Sequence, residues 1–85
     1  MKSFDQLLER ISISPKVMVG KPVIRGTRVP VELIVKMVAQ GIPEHEILSE
    51  YPRLVSEDSK AALAYASAKL SNEEVTPVFE AEPVL

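Results

Sequence analysis

The residues best suited to bind an anion are two arginines in the stretch Arg25-Gly26-Thr27-Arg28. A two-residue loop with glycine first is typical of a type II′ hairpin turn, which predicts short strands on either side of Gly26-Thr27. In such a hairpin Arg25 and Arg28 are directly opposed, and like charges in that position destabilise the pairing. A phosphate between the guanidinium groups would remove the repulsion. Alternatively, each arginine pairs with an acid of its own fold, such as Glu32 or Glu50, and the local sequence leaves both interpretations open.

The charge is distributed unevenly along these 85 residues, although the net charge is only −2. Residues 15–40 carry five basic residues against the single acid Glu32, whereas residues 41–85 carry nine acids against Arg53, Lys60 and Lys69. Such asymmetry predicts two different surfaces with two different partners.

Several kinds of chemistry are excluded by composition. The chain has no cysteine and one histidine, His45, so thiolate zinc sites, multi-histidine sites and a cysteine nucleophile are ruled out. The run Glu44-His45-Glu46 cannot converge on one metal, because neighbours on a helix diverge by about 100°. We therefore predict no catalytic residue, no metal, no cofactor and no enzymatic activity. No apolar run approaches the roughly 20 residues of a membrane span, and the N-terminus lacks a signal-peptide pattern, so a cytoplasmic location is expected.

The elements that must position the arginines are mostly helical. A helical turn is predicted over 4–10 and a short strand over 11–14, followed by helices over 31–40, 43–50 and 56–70. In the first of these three helices the polar residues Glu32, Lys36 and Gln40 form one narrow stripe, which predicts a central, largely buried helix. The expected fold is mainly α: a three-helix homeodomain-like or winged-helix-like bundle with a short N-terminal β-hairpin, occupying residues 1–70. The small size and the alanine-rich face of the last helix predict a homodimer.

Three successive helices of these lengths suggest a helix-turn-helix, whose last helix would enter the DNA major groove by its N-terminal end. Here that end is Ser56-Glu57-Asp58, followed by Lys60. Because phosphate contacts dominate DNA affinity, two acids at the leading edge disfavour this mode. An acidic first turn that stabilises its own helix is the preferred interpretation, and the arginine turn is the predicted DNA contact.

The last segment differs in character from the rest. Residues 71–85 contain four glutamates, two prolines and no basic residue, which predicts a flexible acidic and apolar tail. Its apolar content is too high for a solubilising tail and suggests a segment that folds onto a partner, with Phe79 as an anchor.

The stretch Gly20–Val31, together with Tyr51-Pro52 and the run Ala61–Ala66, resembles the family numbered 433 among domains of unknown function. The resemblance extends from residue 7 to about residue 70. It implies a homeodomain-like helical fold similar to that of VapB-type antitoxins, which often accompany a PIN-like ribonuclease toxin. The implied function is that of an antitoxin in a type II toxin-antitoxin system, which neutralises the toxin and binds its own promoter DNA. A stand-alone helix-turn-helix regulator and a protein-only interaction module are the alternatives.

Two sets of site residues follow from these arguments. The predicted nucleic-acid-binding residues are Lys21, Arg25, Thr27, Arg28 and Lys60. The predicted partner-binding residues, which would contact the PIN-like toxin, are Val75, Val78, Phe79, Val84 and Leu85.

Overall fold

The computed structural model describes residues 2–72 and confirms the mainly helical class. Its elements, in chain order, are α1 (Phe4–Leu8), β1 (Ile11–Ser12), a 3₁₀ turn (Met18–Gly20), β2 (Val23–Ile24), α2 (Val31–Ala39), α3 (Glu44–Glu50) and α4 (Ser56–Asn72). The three predicted helices are present, and α1 precedes them as a fourth within the described range. Ser71 and Asn72 complete α4, and the remainder of the predicted tail lies outside the described residues.

Local signals account for the helix ends. A capping box opens α1: Ser3 Oγ accepts the N–H of Gln6 (3.2 Å), and Gln6 Oε1 accepts the N–H of Ser3 (2.9 Å). Prolines in extended conformation precede α2 and α3. Gly41 ends α2 in the left-handed region, with φ of 81°.

One core joins the sheet to the helices. It contains Ile24 from β2, Ile34 and Met37 from α2, and Ile47 from α3, together with Val31, Leu54 and Ala62. The long helix α4 packs against α1, α2 and α3. Helix α2 is less enclosed than its sequence predicts, since Val38 is 37% exposed and Ala39 is exposed.

The prediction of a hairpin in which Arg25 faces Arg28 is wrong. Strand β2 pairs antiparallel with β1, Ile11 opposite Ile24, and the chain does reverse at Arg25–Arg28. However, the N–H of Thr27 donates to the carbonyl of Ile24 (3.0 Å), so the turn covers Ile24–Thr27 with Gly26 in its third position. A φ of 79° at that glycine suits a type II turn, not the two-residue II′ loop.

The hydroxyl of Thr27 explains the difference. It donates to the carbonyl of Ile24 (2.7 Å) and accepts the N–H of Val29 (3.0 Å), which closes a longer loop. The N–H of Ile24 donates to the carbonyl of Val29, so these two residues close the loop in place of Arg25 and Arg28. The two arginines are therefore loop residues, and the predicted cross-strand opposition between them is not formed.

Candidate nucleic-acid interface

A third arginine joins the turn from a distant part of the chain. Arg53 follows Tyr51-Pro52, where α3 ends, and its Nη1 donates to the carbonyl of Gly26 (3.2 Å). The two residues are 27 positions apart. Sequence reasoning did not include Arg53 in the site, because no local pattern relates it to the turn.

Arg25, Arg28 and Arg53, hereafter the arginine surface, are all exposed. Arg53 lines one cavity of about 440 Å³ with Arg25 and a second of about 310 Å³ with Arg28. The three guanidinium-bearing side chains therefore belong to one continuous surface around the turn. Lys2 and Arg10 also line the larger cavity, together with the acids Glu9 and Asp58, so basic residues outnumber acidic ones there by four to two.

The arginine surface forms no ion pair within residues 2–72. The ion pairs formed within residues 2–72 join Arg10 to Asp58 and Glu57, and Lys21 to Glu32. None involves a member of the arginine surface, so the predicted alternative in which Arg25 and Arg28 pair with Glu32 or Glu50 is not found in the described residues. Acids do lie nearby, since Glu50 lines a cavity with Arg28 and Arg53, and Glu9 and Asp58 line the cavity that holds Arg25. None of them forms an ion pair with the arginine surface, so its guanidinium groups remain available to an external anion, and their planar fork suits phosphate.

A buried carboxylate supports the turn from behind. Asp58 is 5% exposed, and its two oxygens accept the Nε–H of Arg10 and the N–H of Val55, each at 2.9 Å. The carbonyl of Arg10 in turn accepts the N–H of Arg25 (2.8 Å). The first turn of α4 is therefore linked through Arg10 to the backbone of the arginine surface. This geometry supports a structural role for the acidic first turn.

The remaining predicted nucleic-acid-binding residues lie elsewhere or are already engaged. Lys21 Nζ is 2.6 Å from Glu32 Oε1, and this hydrogen bond is the main cause of the lowered pKa of Glu32. The hydroxyl of Thr27 is used within the turn. Lys60 is exposed on α4 and lines none of the cavities around the arginine surface.

Lys60 lies near Glu44 instead. Hydrogen bonds from Ser59 and then Ser56 are the chief causes of the lowered pKa of Glu44, and the charge of Lys60 contributes less. The structure therefore brings together Arg25 and Arg28 of the predicted set and adds Arg53. The five predicted partner-binding residues lie outside the described residues.

The described residues were also searched for a metal site and for a membrane-spanning helix. Residues 2–72 contain no group of three histidine, cysteine, aspartate or glutamate side chains able to hold a metal ion. Within the same range no helix is long and apolar enough to cross a membrane.

Comparison with known proteins finds similarity over most of the chain. The family model described as "Protein of unknown function (DUF433)" matches residues 11–66. The uncharacterized protein y4eO of Sinorhizobium fredii is 40% identical over 60 residues, which are 71% of this chain but 27% of y4eO. An uncharacterized protein of Archaeoglobus fulgidus is 57% identical over 30 residues, 35% of this chain and 83% of that protein. The chain thus spans about a quarter of the length of y4eO.

A solved structure shares the fold. The crystal structure of a DUF433 member protein from Anabaena variabilis superposes with a TM-score of 0.67 at 39% sequence identity. The match covers 80% of this chain and 68% of that protein.

Proposed function

The chain belongs to the DUF433 family of proteins of unknown function, and from that premise we propose that it is a non-enzymatic antitoxin that binds DNA phosphates through its arginine surface. The proposed DNA binding depends mainly on one observation. Arg25, Arg28 and Arg53 lie on one surface, and none of them forms an ion pair with another of residues 2–72. The DNA in question is the promoter of its own operon.

The arrangement of charge supports phosphate contact in preference to base recognition. Three exposed guanidinium groups around one loop can follow the phosphates of a strand, which gives affinity and register without reading sequence. If each neutralises one phosphate, the logarithm of the binding constant falls with the logarithm of salt concentration with a slope of about −2.7.

The helix-turn-helix mode receives less support from the packing. Asp58, Ser59, Ala61 and Ala62 in the first two turns of α4 are all buried. The face that they leave open carries the acid Glu57 at its leading end and Lys60 as the one basic residue of these turns, which is a poor match to DNA phosphates. The arginine surface is therefore the better candidate for the DNA contact.

The proposed antitoxin function is supported by the family resemblance and by the composition of the tail. Residues 73–85 combine four glutamates with the apolar residues Val75, Val78, Phe79, Val84 and Leu85, and contain no basic residue. Such a segment suits the basic RNA-binding groove of a PIN-like ribonuclease, which it would cover with Phe79 as the anchor. A homodimer is part of the same proposal.

The DNA contact is tested by a salt series. Binding of the full chain to its own upstream DNA is measured by gel shift for the unmodified protein and for Arg53→Ala. We expect uniformly weaker binding and a salt slope reduced by about 0.9. Lys36→Ala is the matched control, because Lys36 is exposed but lies outside the arginine surface. An unchanged slope for Arg53→Ala, or an equal effect of Lys36→Ala, would refute the assignment.

The toxin contact is tested separately by co-expression with a PIN-like toxin encoded beside the chain. We expect a chain ending at Asn72 to lose neutralisation while its helical circular dichroism is retained. The matched control is Glu73→Gln in the full chain, which keeps the whole apolar set. Full neutralisation by the shortened chain would contradict the role assigned to the tail.

A further inference from the structure

A second surface, unrelated to the arginine surface, lies between α2 and the C-terminal half of α4. It is a groove of about 510 Å³, hereafter the α2–α4 groove. Its apolar lining includes Val31, Val35, Ala39, Tyr65, Ala66 and Leu70. The volume is in the range of sites that bury several apolar groups of a ligand. Leu70 is 64% exposed, so apolar area remains uncovered in residues 2–72.

The rim of the groove is basic. Lys21, Lys36 and Lys69 line it together with one acid, Glu32, and the sign of the rim is therefore positive. Lys21 and Glu32 already form an ion pair, and Lys69 also has a partner, so Lys36 is the rim lysine that an acid of an occupant would meet. A second copy of the chain docked across a two-fold axis would place this rim against itself, and like charges across an interface oppose association.

The chain itself carries a segment of the complementary composition. Residues 73–85 follow directly on α4, whose Ala66, Lys69 and Leu70 line the groove near the point where the segment starts. The segment has four glutamates, no basic residue and five large apolar side chains. It therefore offers acids for the lysine rim and apolar groups for the floor.

The segment is also long enough. Thirteen extended residues span about 43–47 Å, whereas the nine residues of α2 are about 14 Å long. The segment can reverse direction after Asn72 and still follow the whole length of α2.

We propose that residues 73–85 fold back onto the α2–α4 groove of the same chain, with apolar side chains on its floor and a glutamate beside Lys36. This goes beyond the proposed function, since it requires neither DNA nor toxin. If the tail also binds a toxin, the groove and the toxin compete for the same side chains, so docking would lower the apparent affinity for the toxin.

The absence of cysteine allows a clean test on the full chain. A nitroxide is attached to Ala81→Cys, and the intensities of backbone amide peaks are compared with the spin label oxidised and reduced. We expect strong losses at Val35, Ala39 and Ala66 and a smaller loss at His45 on α3, which does not line the groove. A mixture of isotope-labelled chain without the nitroxide and unlabelled chain with it should show much smaller losses at the groove amides, because docking is intramolecular and only a homodimer contact would bring the nitroxide of another chain near.

Charge variants test the role of the rim. Lys36→Glu in the nitroxide-labelled chain should restore most of the lost intensity, because it reverses a rim charge on an exposed side chain. Lys60→Glu is the matched control, since Lys60 is an exposed lysine that does not line the groove, and it should leave the losses unchanged. The proposal is overturned if the groove amides lose no intensity, if His45 loses as much, if the mixed sample shows the same losses, or if Lys36→Glu has no effect.

Discussion

Replacing Asp58 by alanine removes the buried carboxylate that joins α4 to the arginine surface. The change deletes a charged hydrogen bond to Arg10 and leaves the N–H of Val55 without its acceptor. A hydrogen bond to a charged group contributes about 1.5–3 kcal/mol, and the acceptor at the start of a helix contributes about 1 kcal/mol. The side chain of Arg10 is 33% exposed and can be rehydrated, which lowers the total. We expect the free energy of unfolding to fall by about 2–3 kcal/mol.

Glu57 provides the matched control. It lies in the same first turn, so its interaction with the helix dipole resembles that of Asp58. Its carboxylate is 3.6 Å from Arg10 Nη1, and its side chain is 39% exposed. An ion pair of this kind contributes roughly 0–1 kcal/mol, so Glu57→Ala should have a much smaller effect.

The assay is urea unfolding followed by circular dichroism. With a slope of about 1 kcal/mol/M for so small a domain, Asp58→Ala should lower the midpoint by about 2–3 M. Because the carbonyl of Arg10 accepts the N–H of Arg25, the same variant should also speed hydrogen exchange at Arg25. Equal midpoints for Asp58→Ala and Glu57→Ala would refute the reasoning, since the buried carboxylate would then contribute no more than an exposed one.

Two further predictions concern the 3₁₀ turn and the contact between α3 and α4. Val19 is 94% exposed with φ of 56°, a conformation that a β-branched residue adopts at a cost of about 1 kcal/mol. Val19→Asn should therefore raise the free energy of unfolding by about 1 kcal/mol in urea titration, and an unchanged midpoint would argue against strain at this site. Hydrogen bonds from Ser59 and Ser56 lower the pKa of Glu44 in the folded protein. The ionised Glu44 side chain therefore stabilises the fold above the pKa of the unfolded state, and this stabilisation is lost as the pH falls through the pKa of the folded state. Thermal unfolding across the acidic range should show a shallower pH dependence for Glu44→Gln, and identical profiles would contradict the prediction.

The elements of this protein follow from local signals in its sequence. Proline before α2 and α3 and Gly41 at the end of α2 mark helix boundaries, because each acts through the backbone of its own neighbourhood. The Arg25–Arg28 stretch likewise identifies a turn and the protein family. These features require no knowledge of distant contacts.

Tertiary structure decided which charges meet. The turn acquires Arg53 through a hydrogen bond between residues 27 positions apart, and the contact of Arg10 with Asp58 spans 48 positions. Even the register of the turn depended on how the hydroxyl of Thr27 is used and on the pairing of β2 with β1. Such contacts form only when the core brings separate segments of the chain together. The order of the basic residues along the sequence therefore did not indicate which of them would lie on the same surface. Lys21 and Lys60 carry the same charge as the arginines, but packing places them beside Glu32 and Glu44.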